Sequence, residues 1–171
     1  MLEGLTLKRH RDLEGRSADE WVRRGLLGLL AAFLVVALFN VFGQRASTTR
    51  VGNSTAGLGV QLPVRIRGGL LFQARITVTA GQELKDARLL LDRGWADGFQ
   101  INTIEPGPLG EASADGKLSF DLGHVPAGQK HVLWMQFQAN PTTVGRRSHD
   151  VDLYDGDRYL TTIHRDLVVL P

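Results

Sequence analysis

The chain contains no cysteine. That one absence excludes disulfides, thiol nucleophiles, dithiol redox centres and thiolate zinc sites. A domain built from this sequence outside the cytosol must be stabilised by its hydrophobic core alone. An excess of either sign of charge is also lacking. The formal net charge is +2, and no basic stripe interleaved with aromatics occurs, so nothing points to nucleic acid as a partner. Several catalytic signatures are missing as well. There is no H-E-x-x-H, no G-x-S-x-G and no glycine loop of the phosphate-binding kind.

What is present is dominated by one run, 26–42 (LLGLLAAFLVVALFNVF), which carries no charge and one polar residue, Asn40. A helix rises about 1.5 Å per residue, so this run with its flanks spans a hydrocarbon core of about 30 Å. Lys8, Arg9, Arg11, Arg16, Arg23 and Arg24 precede it, and only Arg45 and Arg50 follow closely. Basic residues are retained on the cytoplasmic side, so the N-terminus is expected inside and the remainder outside a plasma membrane. Ser17 and Glu20 fit a capping box. Trp21, Arg23 and Arg24 are expected at the headgroup level and Asn40 near the outer interface, with the lipid bilayer as the first partner. Gly28 and Ala32 form a small-xxx-small pair that, with Asn40, offers a route to helix association. The competing reading is a cleaved signal peptide with a site at Gly43. The long, partly acidic leader and an apolar run beyond the usual span of about 7–15 residues argue for an uncleaved anchor.

After residue 42 the helical period disappears. Short runs alternate apolar and polar side chains, near 60–66, 70–79, 87–91, 100–104, 117–122, 131–138, 148–154 and 159–169. That is the strand period. Ala80-Gly81, Asp97-Gly98, Asp115-Gly116, Ala127-Gly128 and Asp155-Gly156 supply the turns, since glycine accepts the positive φ that tight hairpins need. Within 131–138, Leu133, Met135 and Phe137 share the expected core face, while Val132 and Trp134 point the other way. On the last hairpin, folding about Asp155-Gly156 pairs Val151 with Leu160, and a bulge between Thr161 and Arg165 restores the alternation. The expected fold is all-β, an antiparallel β-sandwich preceded by one N-terminal transmembrane helix. The expected organisation is a cytoplasmic tail (1–17), the membrane helix (18–43), a Ser/Thr/Gly-rich stalk (44–57) and the sandwich (58–171).

One stretch is diagnostic beyond the pattern. The segment 116–123 (GKLSFDLG), then 125–128 (VPAG), then the strand 129–137 resembles bacterial cell-surface Ig-like domains of the adhesin and unknown-function repeat type. Phe120, Leu122, Gly123 and Gly128 carry the likeness. The resemblance implies an Ig-like sandwich acting as a spacer or interaction surface. A single copy, rather than an array, departs from a long adhesive stalk.

Candidate chemistry is thin. Asp150, Asp152, Asp155 and Asp157 are the best calcium candidates, yet their spacing is not that of an EF-hand loop and a hairpin turn explains them. His10, His124, His131, His149 and His164 lack a zinc motif. His149 and His164 are expected as neighbours, and as partly exposed strand residues. Asn53-Ser54-Thr55 matches the N-glycosylation pattern. No metal and no cofactor is expected. The favoured reading is a non-enzymatic, membrane-anchored module that docks to another membrane or envelope protein, with Val132, Trp134, Arg146 and Arg147 as contacts. The alternative is a carbohydrate or cell-wall binding domain, motivated by Trp95, Trp134, Tyr154 and Tyr159.

Overall fold

The computed structural model describes residues 17–39 and 44–171. The chain divides into two compact units, 1–43 and 44–171. The described residues of the first form the helix α1 (Ser17–Leu38). Its segment Glu20–Leu38 is long and apolar enough to cross a membrane, and Leu26, Leu29, Phe33 and Leu38 stand exposed along it. Arg24 lies 5.8 Å over the Trp21 ring and 3.8 Å from the Glu20 carboxylate. The side chains at 17–19, and Asn40 and Gly43 altogether, lie outside the described residues.

The second unit opens with a hairpin, β1 (Ala46–Gly52) and β2 (Ala56–Pro63), then β3 (Arg65–Arg67), β4 (Leu71–Ala80) and β5 (Leu84–Leu91). A 3-10 turn at Arg93–Trp95 leads into β6 (Phe99–Glu105), β7 (Gly110–Ala114), β8 (Lys117–Val125) and β9 (Lys130–Ala139). The chain then forms β10 (Gly145–Ser148), β11 (Val151–Asp155), β12 (Arg158–Ile163) and β13 (Asp166–Leu170).

Sheet I has the order β1-β2-β4-β9-β6 and sheet II the order β12-β11-β5-β8-β7, both antiparallel. Alternate residues of each are buried. Ile76, Val78, Leu133, Met135 and Phe137 from sheet I join Leu89, Leu91, Phe120, Leu122 and Leu153 from sheet II in one hydrophobic cluster. That shared core makes the unit a β-sandwich. Phe72 stacks on Phe137 at 5.2 Å and meets Phe99 edge-on at 5.5 Å. Asp115 (φ 52°) and Gly116 (φ 76°) take the left-handed conformation of the β7–β8 turn, which accounts for the Asp-Gly signal there.

One flank of the sandwich is closed by a third, small sheet, β10-β13-β3. β3 continues from β2 after one residue, and β13 continues from β12 after two. Each strand therefore leaves its own sheet, and the two then pair in parallel, Val169 opposite Ile66. Strands that switch sheets at a corner are a usual way to finish such an edge.

Three expectations need correction. Residues 44–57 are not a stalk: they hold β1 and the turn into β2, so the sandwich begins at Ala46 and only seven residues separate it from Leu38. Asn53 closes that hairpin. Its Oδ1 accepts the Thr55 and Ala56 amides at 2.9 Å, and its Nδ2 donates to the Leu160 carbonyl at 3.2 Å, so the amide of the glycosylation match has a structural use. On the last hairpin Val151 pairs with Ile163, not Leu160, and the bulge falls beside Leu153 and Tyr154, nearer the turn than expected. Leu160 is the extra residue, which lets Leu160 and Ile163 both be buried despite their odd spacing.

Candidate functional site

The outer face of sheet I is built by strand register. Thr48, Gln61, Arg75, Trp134 and Glu105 lie side by side across its five strands. The adjacent row is Arg50, Gly59, Thr77 and Val132, and the next is Gly52, Gly57, Thr79 and Lys130. Gln73 and Gln136 pair on the other side of the first row. Val132 and Trp134 therefore do face outward, as their alternation predicts, but their surroundings are threonine, glutamine and cations rather than an apolar patch.

Two adjoining hollows occupy this face. One, of about 440 Å³, lies over β2 between Arg50 and Lys130, with Gly57, Gly59, Thr77 and Thr79 along it. The other, of about 410 Å³, lies beside Trp134 and is lined by Gln44, Gln61, Gln73 and Arg75. Gln61 and Arg75 belong to both, so the two form one trough of a size that small ligands or short segments of a polymer occupy. Trp134 is 39% exposed, and the Arg75 guanidinium lies 5.2 Å over its ring. Stacking on the indole fixes that plane while leaving its N–H edges for a ligand.

The electrostatics of the two sheets differ. The strands of sheet I contain Arg50, Arg75 and Lys130 against a single acid, Glu105. Among the described residues no carboxylate lies within ion-pair distance of those three cations. The strands of sheet II carry both signs, and Arg88 is held by Asp121 at 2.7 Å, which raises the guanidinium pKa. Unpaired cations gathered on one face create a positive potential there.

The other sequence-derived candidates are scattered. Arg146 and Arg147 sit on β10 in the small sheet, away from Val132 and Trp134 in topology, at 3.6 Å from Asp166 and 3.9 Å from Asp97. Trp95 is fully buried, donates its indole N–H to the Asp150 carbonyl at 3.0 Å and packs on Phe137 and His149, so it offers no face to a sugar. Tyr154 and Tyr159 meet edge-on at 5.6 Å on sheet II. The aspartates of 150–157 do not converge. Asp150 accepts from His164 at 2.7 Å and from the Arg165 amide at 2.9 Å, and Asp155 accepts from the Asp86 amide at 2.8 Å. Among the described residues no three histidine or acidic side chains are grouped as metal ligands.

His149 and His164 lie on adjacent segments, the His149 amide donating to the Arg165 carbonyl at 2.6 Å, but their rings differ in exposure. His149 is fully buried, not partly exposed, with Nδ1–H donating to the Arg147 carbonyl at 3.2 Å and Nε2 without a partner. Burial pushes its pKa down to about 4. His164 is exposed, and its hydrogen bond with Asp150 raises its pKa. Burial alone would raise the Asp150 carboxyl, but His164 and the Arg165 amide hold it below the usual range. The His164–Asp150 pair resembles a base with its orienting carboxylate, yet among the described residues no hydroxyl contacts the His164 ring. Asp92 nearby is pushed up by burial, and its Oδ1 has no partner.

No family model matches the chain, and no curated protein matches it. Among solved structures it is similar to CaCohA2 from Clostridium acetobutylicum, at 14% identity and a TM-score of 0.44, covering 64% of this chain and 90% of that one. It is also similar to Spo0M, a sporulation control protein from Bacillus subtilis, at 17% identity and a TM-score of 0.38, covering 75% of this chain and 50% of that one.

Proposed function

We propose that the chain is a single-pass, membrane-anchored binding module, not an enzyme. In this reading its N-terminus is cytoplasmic and its Ig-like β-sandwich lies on the outer side, where it holds a component of the cell envelope on the open face of sheet I. One observation carries the reading: a trough lies on that face, lined by three cations that have no carboxylate within ion-pair distance among the described residues. Arg88 on sheet II is by contrast held by Asp121. Seven residues connect α1 to β1, which in this reading limits how far the module can reach from the bilayer.

The occupant has two readings. Docking to a membrane or envelope protein draws on Val132 and Trp134, but cores of protein interfaces are depleted in charge and enriched in apolar side chains, and the Arg146–Arg147 pair lies on another sheet. The carbohydrate reading is favoured by the half-exposed Trp134 among the amides of Gln61, Gln73 and Gln136, groups that both donate and accept hydrogen bonds. The module is tested by placing a photoreactive benzoylphenylalanine at Val132 of the full chain in its native membrane. A reference position is Ser119, which faces outward on sheet II. The expected result is an irradiation adduct from position 132 and none from 119. Equal yields from both, or none from 132, would remove this face as the binding surface.

A further inference from the structure

The floor of the trough is glycine without a conformational reason. Gly57 and Gly59 lie inside β2, paired on both sides, and neither has a positive φ. A Cβ at Gly57 would meet Thr79 Cβ at 3.6 Å, and one at Gly59 would meet Arg50 Cγ at 3.5 Å and Thr77 Cβ at 3.8 Å. These are ordinary contacts, so alanine fits at either position. Glycine in a strand interior weakens the strand and often marks a place where a ligand approaches the backbone closely. Gly94 makes the contrast: there a Cβ would collide with the Ser148 backbone, so packing alone requires glycine.

The chemistry along the trough then selects an occupant. Strands β2, β4 and β9, which run beneath the trough, are each paired on both sides, so none of them offers a free ladder to a peptide. The open edge of the sheet is β1, and the trough lies over the face of the sheet, not along that edge. Recognition must come from side chains, and those present are hydroxyls (Thr48, Thr77, Thr79), amides (Gln61, Gln73) and the cations Arg50, Arg75 and Lys130. Hydroxyls and amides match a polyol, Trp134 offers a face beside them, and guanidinium groups match carboxylates in a bidentate manner.

We propose that the trough binds an anionic polysaccharide. The sugar backbone lies over Gly57 and Gly59, and its acidic groups reach Arg50, Arg75 and Lys130. The assignment deepens the binding-module reading and rests on it.

The test uses the full chain in nanodiscs of zwitterionic lipid, with polygalacturonate as the probe. Neutral dextran and polyglutamate of matched charge serve as comparisons. Polygalacturonate is expected to bind about tenfold or more tightly than either. Arg75→Ala and Gly57→Leu are each expected to weaken it by about tenfold. Gly57→Ala, which fits sterically, keeps the melting temperature and weakens binding several-fold, so a loss in that variant is not a loss of fold. No binding of polygalacturonate, equal binding of polyglutamate, or full affinity in Gly57→Leu would overturn the proposal. A protein adduct at position 132 without glycan binding would overturn this inference alone. The absence of both would remove the module reading too.

Discussion

Arg165 is the residue that most directly holds the sandwich flank together. Its Nη1 donates to the Ser47 carbonyl at 2.8 Å, to Thr49 Oγ1 at 3.1 Å and to the Val60 carbonyl at 3.2 Å, and its Nη2 donates to the Leu62 carbonyl at 3.0 Å. The acceptors are all neutral, and burial lowers the guanidinium pKa. One planar fork therefore spans both strands of the first hairpin from the break between β12 and β13, where no backbone ladder joins the two large sheets. Arg165→Lys keeps the charge but not the fork. It is expected to cost about 2–4 kcal/mol, because several half-buried carbonyls lose a partner at once. A denaturant midpoint for the full chain in mild detergent checks this, and a loss below about 0.5 kcal/mol would show that the fork is dispensable.

His149 makes a second residue-scale prediction, with a definite sign. In the folded chain it stays neutral down to about pH 4, whereas an unfolded histidine protonates near pH 6.5. The unfolded state binds the extra proton between those values. Its contribution to stability is thus complete above about pH 6.5 and is lost as pH falls towards 4, up to about 3 kcal/mol. His164 acts the other way: the stability it gains from Asp150 is present below its unfolded pKa and fades as pH rises through the raised folded value. Comparing His149→Phe with the parent isolates the first effect. The stability slope between pH 4 and 6.5 should flatten in the variant, and an unchanged slope would assign the acid sensitivity elsewhere.

At the scale of the elements, the hairpin β1–β2 is the part least visible in the sequence. β4 and β9 are legible because each buries alternate residues under a neighbouring sheet, so their apolar side chains recur at every second position. β1, with the sequence ASTTRVG, is an edge strand with mostly exposed residues, and β7, GEASA, is another. A strand with little buried on either face leaves no hydrophobic alternation to read. Both edges therefore look like linker. The trough escapes for a related reason. Glycines are silent in hydrophobic patterning, and only the register of β1, β2, β4 and β9 brings Arg50, Arg75 and Lys130 together. Hairpin closure is testable at Asn53. Asn53→Ala removes three hydrogen bonds from the turn and is expected to lower stability by about 1–3 kcal/mol. A flexible stalk would instead tolerate the change.

At the scale of the whole molecule, the absence of cysteine becomes an experimental advantage, because any introduced thiol is unique. Ser113 is exposed on β7, so Ser113→Cys in intact cells should react with a membrane-impermeant maleimide. Leu2→Cys should react only after permeabilisation. The reverse pattern would invert the proposed orientation, and labelling of both in intact cells would remove the membrane anchor.

The Arg165 fork also bears on biogenesis. It grips a carbonyl 118 positions earlier in the chain, so it cannot lock the first hairpin until the intervening residues have been made. In the proposed topology, a sandwich threaded across the bilayer from its anchor-proximal hairpin onward would stay pliable until Arg165 arrived to latch that hairpin.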